Sequence, residues 1–166
     1  PPWLLAIGID QPHKTFDFLL SARGLYYQRR PDAPPLVWTG LSAAACQRRV
    51  RTLPASLRER VALEPYSNPE RLEELYGGAA ALVFPSLDEG FGLPPLEAMA
   101  RGIPVLCSRR EPMNAILGQA PLFFEPTESP SLWRMIDRLL DVPSIRQEVI
   151  RRGFQQAAQY SWDRCA

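Results

Sequence analysis

Six short apolar runs alternate along the chain with longer stretches in which apolar residues recur at helical spacing. The runs are residues 3–9, 36–39, 61–63, 79–84, 105–107 and 122–124. Each is too short for a free-standing helix and is bounded by glycine, proline or polar residues, so each reads as a buried strand. The first expected helix covers residues 15–30, with Thr15 as its N-cap and Phe16, Leu19, Leu20 and Leu25 facing the core. Others are expected over residues 42–53 and over 70–76, the latter started by Pro69. A further helix opens at Pro94 and Pro95, carries Leu96, Met99 and Ala100 inward, and stops at Gly102. Two helices close the chain, 131–140 with Leu132, Met135, Ile136 and Leu139 inward, and 144–160 with Ile145, Val149, Ile150 and Phe154. Six strands alternating with six helices imply an α/β fold, a Rossmann-like doubly wound parallel sheet with helices on both faces. Ligands in such a fold sit at the carboxyl ends of the strands.

The stretch over residues 79–104 carries most of the chemistry. Its strand is followed by Ser86, Leu87, Asp88, Glu89, Gly90, Phe91 and Gly92, and then by the helix that starts with two prolines. Prolines fit the first turn of a helix because the N–H they lack has no partner there. A strand, glycine-rich loop and helix collect free backbone N–H groups and the positive end of a helix dipole, which together favour an anion. Gly90 and Gly92 would let the backbone approach a ligand closely, and the N–H groups of Gly92, Leu93 and Leu96 are the candidate donors. Glu89 and Glu97 flank this loop. Carboxylates repel a phosphate but accept hydrogen bonds from hydroxyls, so the ligand suggested is an anion with sugars on either side. After the first strand, Gly8 and the segment from Asp10 to Lys14 form a second such junction, where Lys14 could neutralise a phosphate.

Composition narrows the classes. With 166 residues the chain is one domain. Nineteen Lys and Arg against eighteen Asp and Glu leave a net charge of +1, which excludes a strong electrostatic drive toward nucleic acid. Cys46, Cys107 and Cys165 are odd in number and widely spaced, which favours free thiols in a reducing compartment over a disulfide framework or a zinc site. No apolar run approaches a membrane span and no signal peptide is visible. The start at Pro1 and Pro2 suggests a piece of something longer. Arg48, Arg49 and Arg51 read as a solvated helix face, since nothing aromatic or glycine-rich accompanies them.

Glu89-Gly90-Phe91-Gly92-Leu93-Pro94, with Glu97-Ala98-Met99-Ala100 and Gly102-Ile103-Pro104-Val105 after it, resembles the E-x7-E signature of group 1 glycosyltransferases. These are retaining enzymes of the GT-B fold, also called family 4. The resemblance extends over almost the whole chain and implies that residues 1–166 are the C-terminal, nucleotide-sugar-binding domain, with the N-terminal acceptor domain absent. It gives Lys14 to the donor diphosphate, Glu89 to the transferred sugar and Glu97 to the ribose. Glu89 and Lys14 would be the catalytic residues. The donor site implied also includes Gly8, His13, Gly90, Phe91, Gly92 and Leu93, with Tyr66 and Ser67, beside Asn68, as candidates for the base pocket.

Two departures stand out: Ile9 occupies the place where the family carries an Arg, and Ala115 the place of a Glu. His13 reads either as a phosphate contact or as an exposed loop residue. Tyr160-Ser161-Trp162 resembles the usual end of the family's domain, where the last helix turns toward the partner domain.

No cofactor is expected, since the nucleotide diphosphate sugar is substrate. The absence of a D-x-D triplet removes the metal-binding signature of the other large glycosyltransferase fold. The loop Pro-His-Lys and the helix start Leu-Pro-Pro-Leu-Glu look most like mannosyl- and rhamnosyl-transferring members, which favours a GDP-sugar. The resemblance places the protein in the cytoplasm or at the inner face of the membrane, held there through the missing half, in polysaccharide or glycoconjugate synthesis. The isolated chain is expected to transfer nothing. A nucleotide-sugar epimerase, a glycogen-synthase-like enzyme and a degenerate, non-catalytic module are the alternatives. A dinucleotide-dependent oxidoreductase is disfavoured, because a single glycine follows the first strand instead of G-x-G-x-x-G.

Overall fold

The computed structural model describes residues 2–160. Its strands are β1 (Trp3–Ile7), β2 (Leu36–Leu41), β3 (Val61–Pro65), β4 (Ala79–Phe84), β5 (Val105–Ser108) and β6 (Leu122–Phe124). All pair in parallel, in the spatial order β3-β2-β1-β4-β5-β6. The helices are α1 (Phe16–Arg29), α2 (Ala43–Thr52), α3 (Pro69–Gly77), α4 (Leu93–Ala100), α5 (Met113–Leu117), α6 (Ser129–Asp141) and α7 (Pro143–Ala157). The fold is the doubly wound, Rossmann-like α/β sheet expected from the alternation. Its strand order reverses between β1 and β4, and the crevice at such a switch point is where this architecture binds ligands.

Successive strand residues alternate between two cores, as the period of an extended chain dictates. Leu4, Ala6, Leu36, Trp38, Ala81, Val83 and Leu106 pack with Phe16, Leu19, Tyr26, Leu132 and Ile136 from α1 and α6. Leu5, Val37, Leu82, Phe84, Val105 and Cys107 pack with Leu75, Leu96, Met99 and Met113 from α3, α4 and α5. α7 lies across α4 and α6.

Several boundaries and core positions differ from the sequence reading. β1 stops at Ile7, and Ile9 is 47 % exposed, because the chain turns there through a hydrogen bond from Gln11 N to Ile9 O (2.9 Å). β2 continues through Gly40 to Leu41: Gly40 adopts φ +97° and lies against the Gly8 backbone, where a Cβ would press at 3.2 Å. Leu25 is exposed; Ala22, Arg23, Tyr26 and Tyr27 form the buried face of α1 instead. Phe154 is likewise largely exposed and covers Gly102. α5, between two of the expected strands where no helix was expected, is a single short turn of helix held by buried Met113 and Leu117. α7 ends at Ala157; Ser161, Trp162 and Cys165 lie outside the described residues.

Candidate functional site

The loops after β1 and β4 are neighbours because their strands are, and three hydrogen bonds tie them together. Leu87 N donates to His13 O (2.7 Å), Ser86 Oγ to the same carbonyl (3.3 Å), and Thr15 Oγ1 to Pro85 O (2.7 Å). Thr15 therefore does not cap α1 with its side chain, as the sequence had suggested. It sits at φ +52°, an arrangement that costs a β-branched residue about 1–2 kcal/mol. Strain of this kind persists where surrounding contacts over-determine it, commonly at functional sites. His13 contributes its backbone carbonyl to the junction.

Across this junction Lys14 Nζ and the Glu89 carboxylate form an ion pair, with side chains only 15 % and 13 % exposed. The two charges come from residues 75 apart in sequence and meet at the switch point. Each compensates the other, which avoids the cost of a largely buried unpaired charge.

The start of α4 is set by Gly92 at φ +73°, with prolines in the first turn. Gly92 is needed for packing as well as conformation, because Met113 Sδ occupies the place a Cβ would take, at 2.5 Å. Gly90 has neither constraint: nothing lies within 4 Å of a Cβ there and its φ is not positive. Gly92 is thus fixed by its own backbone and by the side chain of Met113, whereas the space beside Gly90 is open. Phe91 and Leu93 are exposed on this loop, with the Phe91 ring edge-on to Tyr160 at 5.6 Å.

Glu97, one turn into α4, accepts a hydrogen bond at Oε2 from the buried Tyr76 hydroxyl (2.9 Å). Tyr66 and Ser67 are on the same edge of the sheet but beyond β2, two strands from β1. Tyr66 is 83 % exposed, its N–H bonded to Leu41 O (2.8 Å), and Ser67 Oγ lies 2.7 Å from Thr39 Oγ1. Among the described residues no hydrogen bond links them to Lys14, Glu89 or Glu97.

Sequence reasoning missed the anchor of the first loop. Asp10, its side chain 10 % exposed, accepts hydrogen bonds from Arg49 Nη2 (2.7 Å) and Arg48 Nη2 (2.9 Å), and Arg49 Nη1 also reaches Asp17 (2.6 Å). The Arg49 guanidinium further stacks over Phe16, 4.4 Å from the ring centre. The helix face taken for solvated is, at two of its three arginines, a clamp on the loop that carries Lys14. Hydrogen bonding from Arg49, foremost, holds the Asp10 carboxyl below its ordinary pKa. No local pattern could have revealed these pairs, which are 38 and 39 residues apart.

Cys107, on β5, is fully buried, and burial pushes its thiol up to about 12, which disfavours the thiolate that a nucleophile requires. Among the described residues no group of three His, Cys, Asp or Glu side chains could hold a metal ion.

The sequence profile described as "Glycosyl transferases group 1" matches residues 1–156. The chain belongs to the group 1 glycosyl transferases. Among curated members, an O-antigen chain mannosyltransferase B of Escherichia coli is 33 % identical over 164 residues, which are 98 % of this chain and 43 % of the relative. Sucrose-phosphate synthase from Thermosynechococcus elongatus has the same fold, with a TM-score of 0.82 at 24 % identity over 98 % of this chain and 42 % of that one. The C-terminal domain of a group 1 glycosyl transferase from Francisella tularensis superposes with a TM-score of 0.76 at 20 % identity, over 95 % of this chain and 85 % of that one. This group 1 glycosyl transferase chain thus spans less than half the length of the curated relative. Of the residues that the family resemblance singled out, Lys14 and Glu89 meet, Glu97 is held on α4 by Tyr76, Ile9 is exposed on the loop after β1, and Ala115 is exposed on α5.

Proposed function

We propose that this chain is the C-terminal, donor-binding domain of a GT-B glycosyltransferase that moves a sugar from a nucleotide diphosphate sugar to an acceptor hydroxyl, keeping the anomeric configuration. The observation that carries the reading is the Lys14–Glu89 pair at the switch point, beside the N-terminus of α4. The two charges satisfy each other. A diphosphate arriving there draws Lys14 away, and Glu89, released, accepts hydrogen bonds from the hydroxyls of the sugar. As the bond from the anomeric carbon to the diphosphate breaks, negative charge grows on the leaving oxygens. Lys14 and the backbone at Gly92 and Leu93 are placed to stabilise it. Glu97 accepts from the ribose, and the exposed Tyr66–Ser67 corner receives the base.

The mannosyltransferase relative, together with the Pro-His-Lys loop, supports a GDP-sugar and a product in surface polysaccharide or a related glycoconjugate. No described helix is long and apolar enough to cross a membrane. Within the proposal, the domain works in the cytoplasm or at the inner membrane face, and its N-terminal companion, the part of the relatives that this chain does not cover, supplies the acceptor site.

The test is transfer from GDP-mannose by the full-length protein and by this chain alone, read as release of GDP in the presence of acceptor. The full-length protein is expected to turn over, Lys14→Ala to lose roughly a hundredfold or more in kcat, and the isolated chain to transfer nothing. Unimpaired turnover by Lys14→Ala, or transfer by the isolated chain, would contradict the proposal.

A further inference from the structure

Tyr76, at the end of α3, is 1 % exposed, yet it brings a hydroxyl to a carboxylate on the next helix. Its bond to Glu97 Oε2 is 2.9 Å long. Arg101 lies over the Tyr76 ring, 4.6 Å from its centre, and donates from Nη1 to the Glu97 carbonyl oxygen (3.0 Å) while pairing with Glu73. A tyrosine kept only for packing would be served as well by phenylalanine, because burying a hydroxyl costs free energy unless it is bonded. Here the single partner is one oxygen of a half-buried glutamate, and among the described residues the other oxygen, Oε1, accepts no hydrogen bond. Burial first, and then the neighbouring Glu97 carboxylate, raises the pKa of the phenol, so the hydroxyl remains a donor at any working pH.

We propose that Tyr76 is the positioning residue for nucleotide ribose recognition: its hydroxyl fixes the Glu97 carboxylate through Oε2 and leaves Oε1 as a preset acceptor for the ribose hydroxyls. This rests on the donor-site reading of Glu97 given above and extends it to a residue that touches no ligand. Without the hydroxyl, the Glu97 side chain samples other rotamers, and each binding event must order it again.

The experiment compares GDP with 2′,3′-dideoxy-GDP, which lacks both hydroxyls, by calorimetric titration of the chain. Tyr76→Phe is expected to weaken GDP about tenfold, the scale of one hydrogen bond involving a charged group, and to leave the dideoxy nucleotide within twofold. Glu97→Gln should weaken GDP by a similar factor, and the double variant should lose little more than either alone. Should Tyr76→Phe fail to fold, Glu97→Asp withdraws the carboxylate from the hydroxyl without touching the buried ring, with the same selective loss expected. Equal weakening of both nucleotides by Tyr76→Phe, or none, would overturn the positioning role. If the unsubstituted chain bound both nucleotides equally and Glu97→Gln changed nothing, the ribose assignment of Glu97 would fall, and the role of Tyr76 with it.

Discussion

The loop that carries Lys14 is held at Asp10 as well as through its bonds to the loop after β4. Asp10 anchors the loop to α2 through Arg48 and Arg49, at 2.9 and 2.7 Å. Its carboxyl is held below the ordinary value by Arg49. An acid whose folded pKa is depressed contributes stability above its unfolded pKa, about 3.9, and that contribution disappears as the pH falls through the folded value. Asp10→Asn is therefore expected to lower the urea midpoint by a constant amount at neutral pH, with the gap to the unsubstituted chain closing below about pH 4. A gap that is unchanged at pH 3 would show that the carboxylate charge is not what holds the loop. The same variant should weaken nucleoside diphosphate binding, read by titration at pH 7, because Lys14 is then less well placed.

At the scale of the element, the β4–α4 unit was largely legible. The apolar run 79–84 followed by Pro85, the paired prolines and Gly102 located strand, loop and helix to within a residue or two of their observed ends. The reason is that strand period, proline and helix-stop signals are local. What stayed hidden was non-local: the Asp10 clamp, the Tyr76–Glu97 bond, and the diversion of Thr15 from capping to bonding with Pro85 O. Leu25 was misjudged for a related reason. The mixed sequence of α1 offers two plausible faces, and the packing of Tyr26 against α6, with its hydroxyl on Asp137 (2.5 Å), selects the other one. The two loop glycines looked alike in sequence and differ in structure, which yields a paired prediction. Gly92→Ala should cost about 1–2 kcal/mol from the left-handed backbone alone, more if Met113 cannot move aside. Gly90→Ala should be neutral within about 0.5 kcal/mol. Urea unfolding of the two variants checks this, and equal losses would contradict the conformations described.

For the whole molecule, the strand order places the reversal between β1 and β4, so the two loops bearing opposite charges are forced into one crevice. The sequence implied the parallel sheet from alternation alone, whereas the spatial order needed the structure. The carboxyl edge of the sheet carries exposed Ile9, Tyr66, Leu87, Phe91 and Leu93 on or beside its loops. In the proposed two-domain enzyme this edge faces the companion domain and the donor, and half an active site would then bind the nucleotide but transfer no sugar.

The most direct test of the central claim is a thermal-shift panel on the chain with UDP, GDP, dTDP, CMP, ADP and NAD. A ligand at about ten times its dissociation constant stabilises a protein by about 1.4 kcal/mol, which raises the midpoint of a domain of this size by about 3–6 °C. The expected result is such a shift with one nucleoside diphosphate, GDP foremost, and its loss in Lys14→Ala. A shift that survives in Lys14→Ala, or one given by NAD and not by any nucleoside diphosphate, would contradict the account.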